Sequence, residues 1–316
     1  MTSRVLCAAA IASTSLALTA AMRTPPSPSH DHVRNPGDVC NNAYFTDSIV
    51  VNGILIQTLA TPDIGQGCIR VTDDAKTLFR RKIIGDSTFT FGQRASEDGS
   101  IAVIPNGTDL TGHGTPDVLI TAWSGGAHCC RTDYVFEVGP PFRLLGVIDA
   151  RDADESHFAK LDNSDHYYYL TTDYVFAYWY GSFAGSPVEP VILEYRDDNK
   201  GGGFHLALDK MRRPAPTPQE WDKALAKVKN DVTLKQASMA NHLRTDLWSE
   251  VLHLLYTGHS DLAWKFIQEA GPEAQAAPDP DLSDFCSRLK TSDYWRDIAT
   301  AIGGMPKACR RAEPDR

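Results

Sequence analysis

The chain has 316 residues, 42% of them hydrophobic and 22% charged, the make-up of a folding globular protein and not of a disordered or collagen-like one. With 31 Lys and Arg against 40 Asp and Glu, the formal net charge is −9. That balance excludes wholesale nucleic-acid binding, which needs clustered cations for the phosphates, and the length allows two domains of ordinary size.

Residues 1–21 read as a signal peptide. Arg4 supplies the positive start, Val5 to Ala21 is uncharged, and the small residues Thr19 and Ala21 place processing near Ala21, with Ala20 as the neighbouring option. The run is short for a membrane-spanning helix and rich in Ser and Thr, and Cys7 lies too near its start to act as a lipid attachment site. No later stretch reaches spanning length, so a periplasmic or secreted protein without a membrane span is expected. Residues 22–39 carry four prolines between Thr24 and Gly37 and read as a flexible leader.

From Cys40 to Met211, short runs rich in Val, Ile, Tyr, Phe and Thr alternate with Gly, Asp, Asn and Pro clusters. Strands are predicted at Ile49–Leu59, Thr77–Lys82, Ile101–Pro105, Asp117–Trp123, Tyr134–Val138, Arg143–Ile148, Tyr167–Thr172 and Pro190–Tyr195, joined most simply as antiparallel meanders. Beyond three prolines at 214, 216 and 218 the pattern becomes helical. Thr217-Pro-Gln-Glu220 is a capping box, Leu243, Leu247, Val251 and Leu255 recur at i+4 up to Gly258, and Ser260 opens a helix over Asp261–Ala270. Asp281–Leu289 and Ser292–Ile302 complete the helical set. The expected architecture is an α+β multidomain chain: an antiparallel β-rich N-terminal domain over 40–211, partial propeller-like or sandwich, then a small all-α domain over 212–316.

Without Cys7 there are six cysteines, Cys40, Cys68, Cys129, Cys130, Cys286 and Cys309, an even number suited to disulfides in an oxidising compartment. Pairing within a region joins Cys40 to Cys68 and Cys286 to Cys309. Cys129 and Cys130 are then left to form a strained vicinal bond, stay as thiols or bind a metal; the alternative sends them to two different partners.

The segment Asp109-Leu-Thr-Gly-His-Gly-Thr-Pro-Asp117 places Asp109, Thr111, His113 and Asp117 at positions 1, 3, 5 and 9, with glycine at 6 and a strand immediately after. Calcium takes six to eight oxygens from turns of this type. The competing reading is a tight turn in which the Asp side chains accept hydrogen bonds from their own backbone. The segment resembles the FG-GAP or VCBS repeats of integrin-type β-propellers, which implies a calcium loop, although Thr111 and His113 stand where that pattern has acidic or amide residues. Phe158-Ala-Lys-Leu-Asp-Asn-Ser-Asp165 reads as a decayed second copy.

Between the two lies Trp123-Ser-Gly-Gly-Ala-His-Cys-Cys130, similar to a segment of uncharacterised exported bacterial proteins. Ser124 lacks the first glycine of a nucleophile elbow, and no helical pattern follows it. His113, His128, Cys129 and Cys130 have the imidazole and thiolate groups that zinc or copper prefers. The tyrosines of 167–180 offer rings for a carbohydrate or, more simply, sheet core. The functional expectation is an exported binding or scaffold protein, not an enzyme, with a protein or carbohydrate partner. The alternatives are a metal-binding protein or metal-dependent enzyme on His113, His128, Cys129 and Cys130, or a carbohydrate-binding module.

Overall fold

A computed structural model describes residues 40, 43–60, 66–84, 88–126, 129–153, 155–179, 182–197, 202–238, 245–270, 282–303 and 309. Among the described residues twelve strands form three antiparallel sheets of four, each a meander in chain order. The first contains β1 (Tyr44–Val51), β2 (Ile54–Ala60), β3 (Gln66–Asp73) and β4 (Lys76–Ile84); the second β5 (Thr88–Phe91), β6 (Asp117–Gly126), β7 (Cys129–Glu137) and β8 (Arg143–Arg151). The third contains β9 (His157–Ala159), β10 (Tyr168–Asp173), β11 (Glu189–Arg196) and β12 (Gly203–Leu206). Among the described residues six helices follow: α1 (Leu208–Met211), α2 (Pro218–Ser238), α3 (Thr245–Tyr256), α4 (Ser260–Glu269), α5 (Leu282–Leu289) and α6 (Trp295–Ala301). The α+β class, β-rich first and helical last, is therefore the observed one.

The strand expected over Ile49–Leu59 is a hairpin. Asn52 and Gly53 both have positive φ, 50° and 81°, and Val51 pairs with Ile54 across them. Asn-Gly is the sequence best suited to such a two-residue turn, and it breaks what looked like one apolar run. Ile101–Pro105 is no strand either: Ile104 makes a single bridge to Gln93. β3, β5, β9 and β12 were not anticipated. The Gly67, Cys68 and Arg70 of β3 interrupt any alternating pattern, and the last two of these strands are only three and four residues long.

The middle sheet is buried on both faces, because successive side chains of a strand point to opposite sides. Val118, Ile120 and Ala122 of β6 pack with Ile56, Ile69 and Val71 of the first sheet. Leu119 and Val135 face the other way, into a core with Tyr169 and Leu193 of the third sheet and Leu247, Trp248 and Phe285 of the helices. The boundary expected near 211 consequently marks a change of secondary structure and not a break in the core. Phe285 lies stacked against Phe176 at 4.9 Å and Trp248 at 4.5 Å, while Asp173 of β10 accepts hydrogen bonds from Tyr256 and Ser292, each at 2.5 Å.

The capping box forms as the sequence dictates: Glu220 Oε2 accepts from the Thr217 amide and hydroxyl, both at 2.8 Å, and the Glu220 amide reaches back to Thr217 Oγ1 at 3.3 Å. Gly258, with φ 90°, ends the segment after α3, whereas Leu243 of the predicted i+4 series lies outside the described residues. Cys40 stands 5.9 Å from Cys68 and Cys286 5.7 Å from Cys309 between Cα atoms, the two pairings expected, both at disulfide distance. Among the described residues no helix is long and apolar enough to cross a membrane. The signal peptide and leader fall outside those residues.

Candidate functional site

The Asp109–Asp117 segment leads directly into β6. Asp109 Oδ1 accepts from the amides of Gly112 and His113 at 2.7 and 3.2 Å, and its Oδ2 from Gly114 at 2.7 Å. Asp117, 1% exposed, takes the Leu110 and Thr111 amides and the Thr111 hydroxyl on Oδ2 at 2.8, 3.1 and 3.1 Å, while its Oδ1 is buried without a hydrogen bond. Burial pushes the Asp117 carboxyl up to about 6 against the opposing pull of those donors. Both ends of the loop thus act as acceptors for their own turn. Gly112 has φ 79° and packs against the His166 backbone, where an added Cβ would lie at 3.3 Å; both demands select glycine.

The His113 ring keeps a contact inside the loop, Nδ1 to Thr111 Oγ1 at 3.3 Å, and reaches beyond it. Its Nδ1 lies 2.9 Å from Glu137 Oε2 and its Nε2 3.2 Å from Asp197 Oδ2. Arg143 completes the cluster, with Nε 2.8 Å from Glu137 Oε1, and its guanidinium holds the Glu137 carboxyl below the usual carboxylate range. This is a surface latch joining the loop to the ends of β7 and β11.

The second loop closes on protein cations. Lys210 Nζ sits 2.7 Å from Asp162 Oδ2 and Lys160 Nζ 2.7 Å from the Ser164 carbonyl, where the calcium-loop pattern would have a metal. The two loops are neighbours, tied by the Tyr167 amide donating to the Leu110 carbonyl at 2.8 Å.

The soft-metal set does not come together. His113 contacts Glu137 at one end of β7, and Cys130 lies seven residues away near the other, roughly 20 Å along an extended strand. Cys130 is also disulfide-bonded, which removes the thiolate a metal needs. His128 and the Cys129 side chain lie outside the described residues. Ser124 Oγ accepts from the Cys130 amide at 2.6 Å, bracing the β6–β7 hairpin. Among the described rings of the tyrosine stretch, Tyr168, Tyr169, Phe176 and Trp179 are buried, Tyr167 and Tyr174 partly buried and Tyr178 exposed.

Among the described residues a concave site lies elsewhere, between α2 and α3. A cavity of about 510 Å³ is lined by Pro214, Lys223, Glu250, His253 and Leu254 among others. An adjoining one of about 280 Å³ shares Ala224, Lys227, Glu250 and His253 with it and reaches Glu189 of β11. The helical repeat puts Lys223 and Lys227 on one wall and Glu250, His253 and Leu254 on the other. His253 Nδ1 is 3.0 Å from Glu189 Oε1, and that contact raises the imidazole. Burial raises the Glu250 carboxyl. A pocket of small-ligand size that holds shifted titratable groups is a candidate functional site. The sequence reading missed it. Lys223, Glu250 and His253 look like the solvated face of amphipathic helices, and only the docking of β11 brings Glu189 to them.

No family model, no curated protein and no solved structure matches the chain.

Proposed function

We propose that this is an exported, non-enzymatic binding protein in which a β-rich scaffold related to integrin-type propeller repeats carries a ligand groove formed by α2 and α3. The observation that carries the reading is the groove itself, about 510 Å³ with a second lobe of about 280 Å³, within the range of small-molecule sites. Kinship to propeller repeats is supported by the connectivity, three consecutive four-stranded meanders being the build of propeller blades. Export is supported by the uncharged run from Val5 to Ala21 and by the two cysteine pairs.

A second reading, hydrolytic or proton-transfer chemistry, is favoured by one feature: Glu189 orients His253 at the groove, as a carboxylate orients a catalytic base. Against it, among the described residues no hydroxyl or thiol is hydrogen-bonded to the His253 ring, which a base activating a protein nucleophile requires. A thermal-shift screen of peptides, amino acids, sugars and neutral metabolites on wild type and an Ala224→Trp variant that fills the groove tests the proposal. At least one compound is expected to stabilise wild type and not the variant. Turnover of a bound compound that His253→Gln abolishes would convert the protein into an enzyme.

A further inference from the structure

Most charges in the groove are spent on protein partners. Lys227 Nζ lies 2.8 Å from Asp246, His253 is paired with Glu189 at 3.0 Å, and Glu220 is folded back on Thr217 at 2.8 Å. Two charges of the larger lobe make no hydrogen bond or ion pair among the described residues: the Lys223 ammonium on α2 and the Glu250 carboxylate on α3. They have opposite sign, stand on opposite walls and have the cavity between them. Leu254, Ala224 and the ring of Pro214 supply apolar surface alongside.

Taking the groove as the binding site, we infer that its ligand is a small zwitterion, an α-amino acid or a short peptide with free termini, the ammonium held by Glu250 and the carboxylate by Lys223. A ligand of one sign would leave one of these charges facing it unfavourably, and a neutral ligand would leave Lys223 without a partner and Glu250 with only the through-space attraction of His253 and Lys227. The two contacts are unequal. Glu250 is half-buried, so its pairing acts at lower dielectric; Lys223 is exposed, and an exposed ion pair contributes little. The amino end therefore governs affinity. The cavity exceeds what one small amino acid fills, which favours a dipeptide or an amino acid with a large side chain.

Titration calorimetry of the full-length protein with leucyl-leucine, its N-acetyl form and its C-terminal amide tests the inference. The free dipeptide is expected to bind, N-acetylation to weaken binding by about tenfold or more, and amidation by about two- to threefold. Glu250→Gln is expected to abolish the preference for the free amine while the melting temperature stays that of wild type. Equal binding of the free and N-acetylated forms, or a preference that survives in Glu250→Gln, overturns the inference. If only blocked peptides or neutral metabolites bind and Ala224→Trp removes that binding, the zwitterion fails and the groove stands. If nothing binds to wild type, both fail.

Discussion

The turn at Asp109–Asp117 and the groove between α2 and α3 differ in how they use their polar groups. In the turn, five of the six acceptor contacts made by the two carboxylates go to backbone amides and the sixth to the Thr111 hydroxyl. In the groove, Glu250 and Lys223 make no hydrogen bond or ion pair among the described residues, although Glu250 feels the charges of His253 and Lys227 nearby. The segment that stands out in the sequence is invested in holding the fold, and the one that does not stand out keeps the charge that we assign to a ligand. If the contrast is real, substitutions in the turn cost stability and those in the groove do not.

The largest effect is expected from Asp117→Ala. It orphans two buried amides and leaves the Thr111 hydroxyl with only the His113 ring at 3.3 Å, and each unsatisfied buried donor costs about 1–3 kcal/mol. At pH 5, urea unfolding should show a loss of about 3 kcal/mol or more. A loss below about 1 kcal/mol would mean that the turn is not anchored by Asp117.

Next comes the pH dependence of the same residue. Its folded carboxyl sits at about 6, above the ordinary value of 3.8, so between those values the folded protein binds more protons than the unfolded chain. Stability from this group is complete below about pH 4 and is lost as pH rises through 6, by about 3 kcal/mol. Asp117→Asn keeps an acceptor and does not titrate. The difference in unfolding free energy between wild type and Asp117→Asn should swing toward the variant between pH 4 and pH 8. A flat difference would show Asp117 ionised without penalty.

The legibility of the chain follows from how local each signal is. The capping box at Thr217, the Gly258 stop and the two cysteine pairs rest on neighbouring residues or on simple parity, and all were readable. The Asn52-Gly53 turn was readable too, yet the flanking Ile and Leu masked it as one strand. β12 and β9 were not readable, since strands of three or four residues hold no period. Asp109 and Asp117 stood out as acidic residues, but whether their oxygens face a cation or an amide depends on the loop's path. The groove was hidden for a further reason. Glu189, Lys223 and Glu250 come from three elements whose approach is set by a core running from β6 to α6, and no spacing along the chain encodes that approach.

A smaller effect tests the groove half of the contrast. Glu250 is partly buried and its carboxyl is raised by burial, so its ionised form is held at a cost that solvent screening keeps small. Glu250→Gln at pH 8 should be neutral to slightly stabilising by urea unfolding. A destabilisation beyond about 1 kcal/mol would reveal a structural role and remove the basis for assigning Glu250 to a ligand.

The smallest expected effect is that of calcium. To coordinate it, the turn would have to release Asp109 from three amides, Asp117 has only its unbonded Oδ1 to offer, and Thr111 and His113 would supply one side-chain oxygen between them where the ion wants six to eight. A ligand that binds only the folded state raises stability in proportion to the logarithm of its concentration over its dissociation constant. Millimolar calcium should therefore leave the melting temperature of wild type unchanged. A rise that Asp109→Ala abolishes would show that the turn opens to a cation, and the division between a structural turn and a binding groove would give way to two sites on one scaffold.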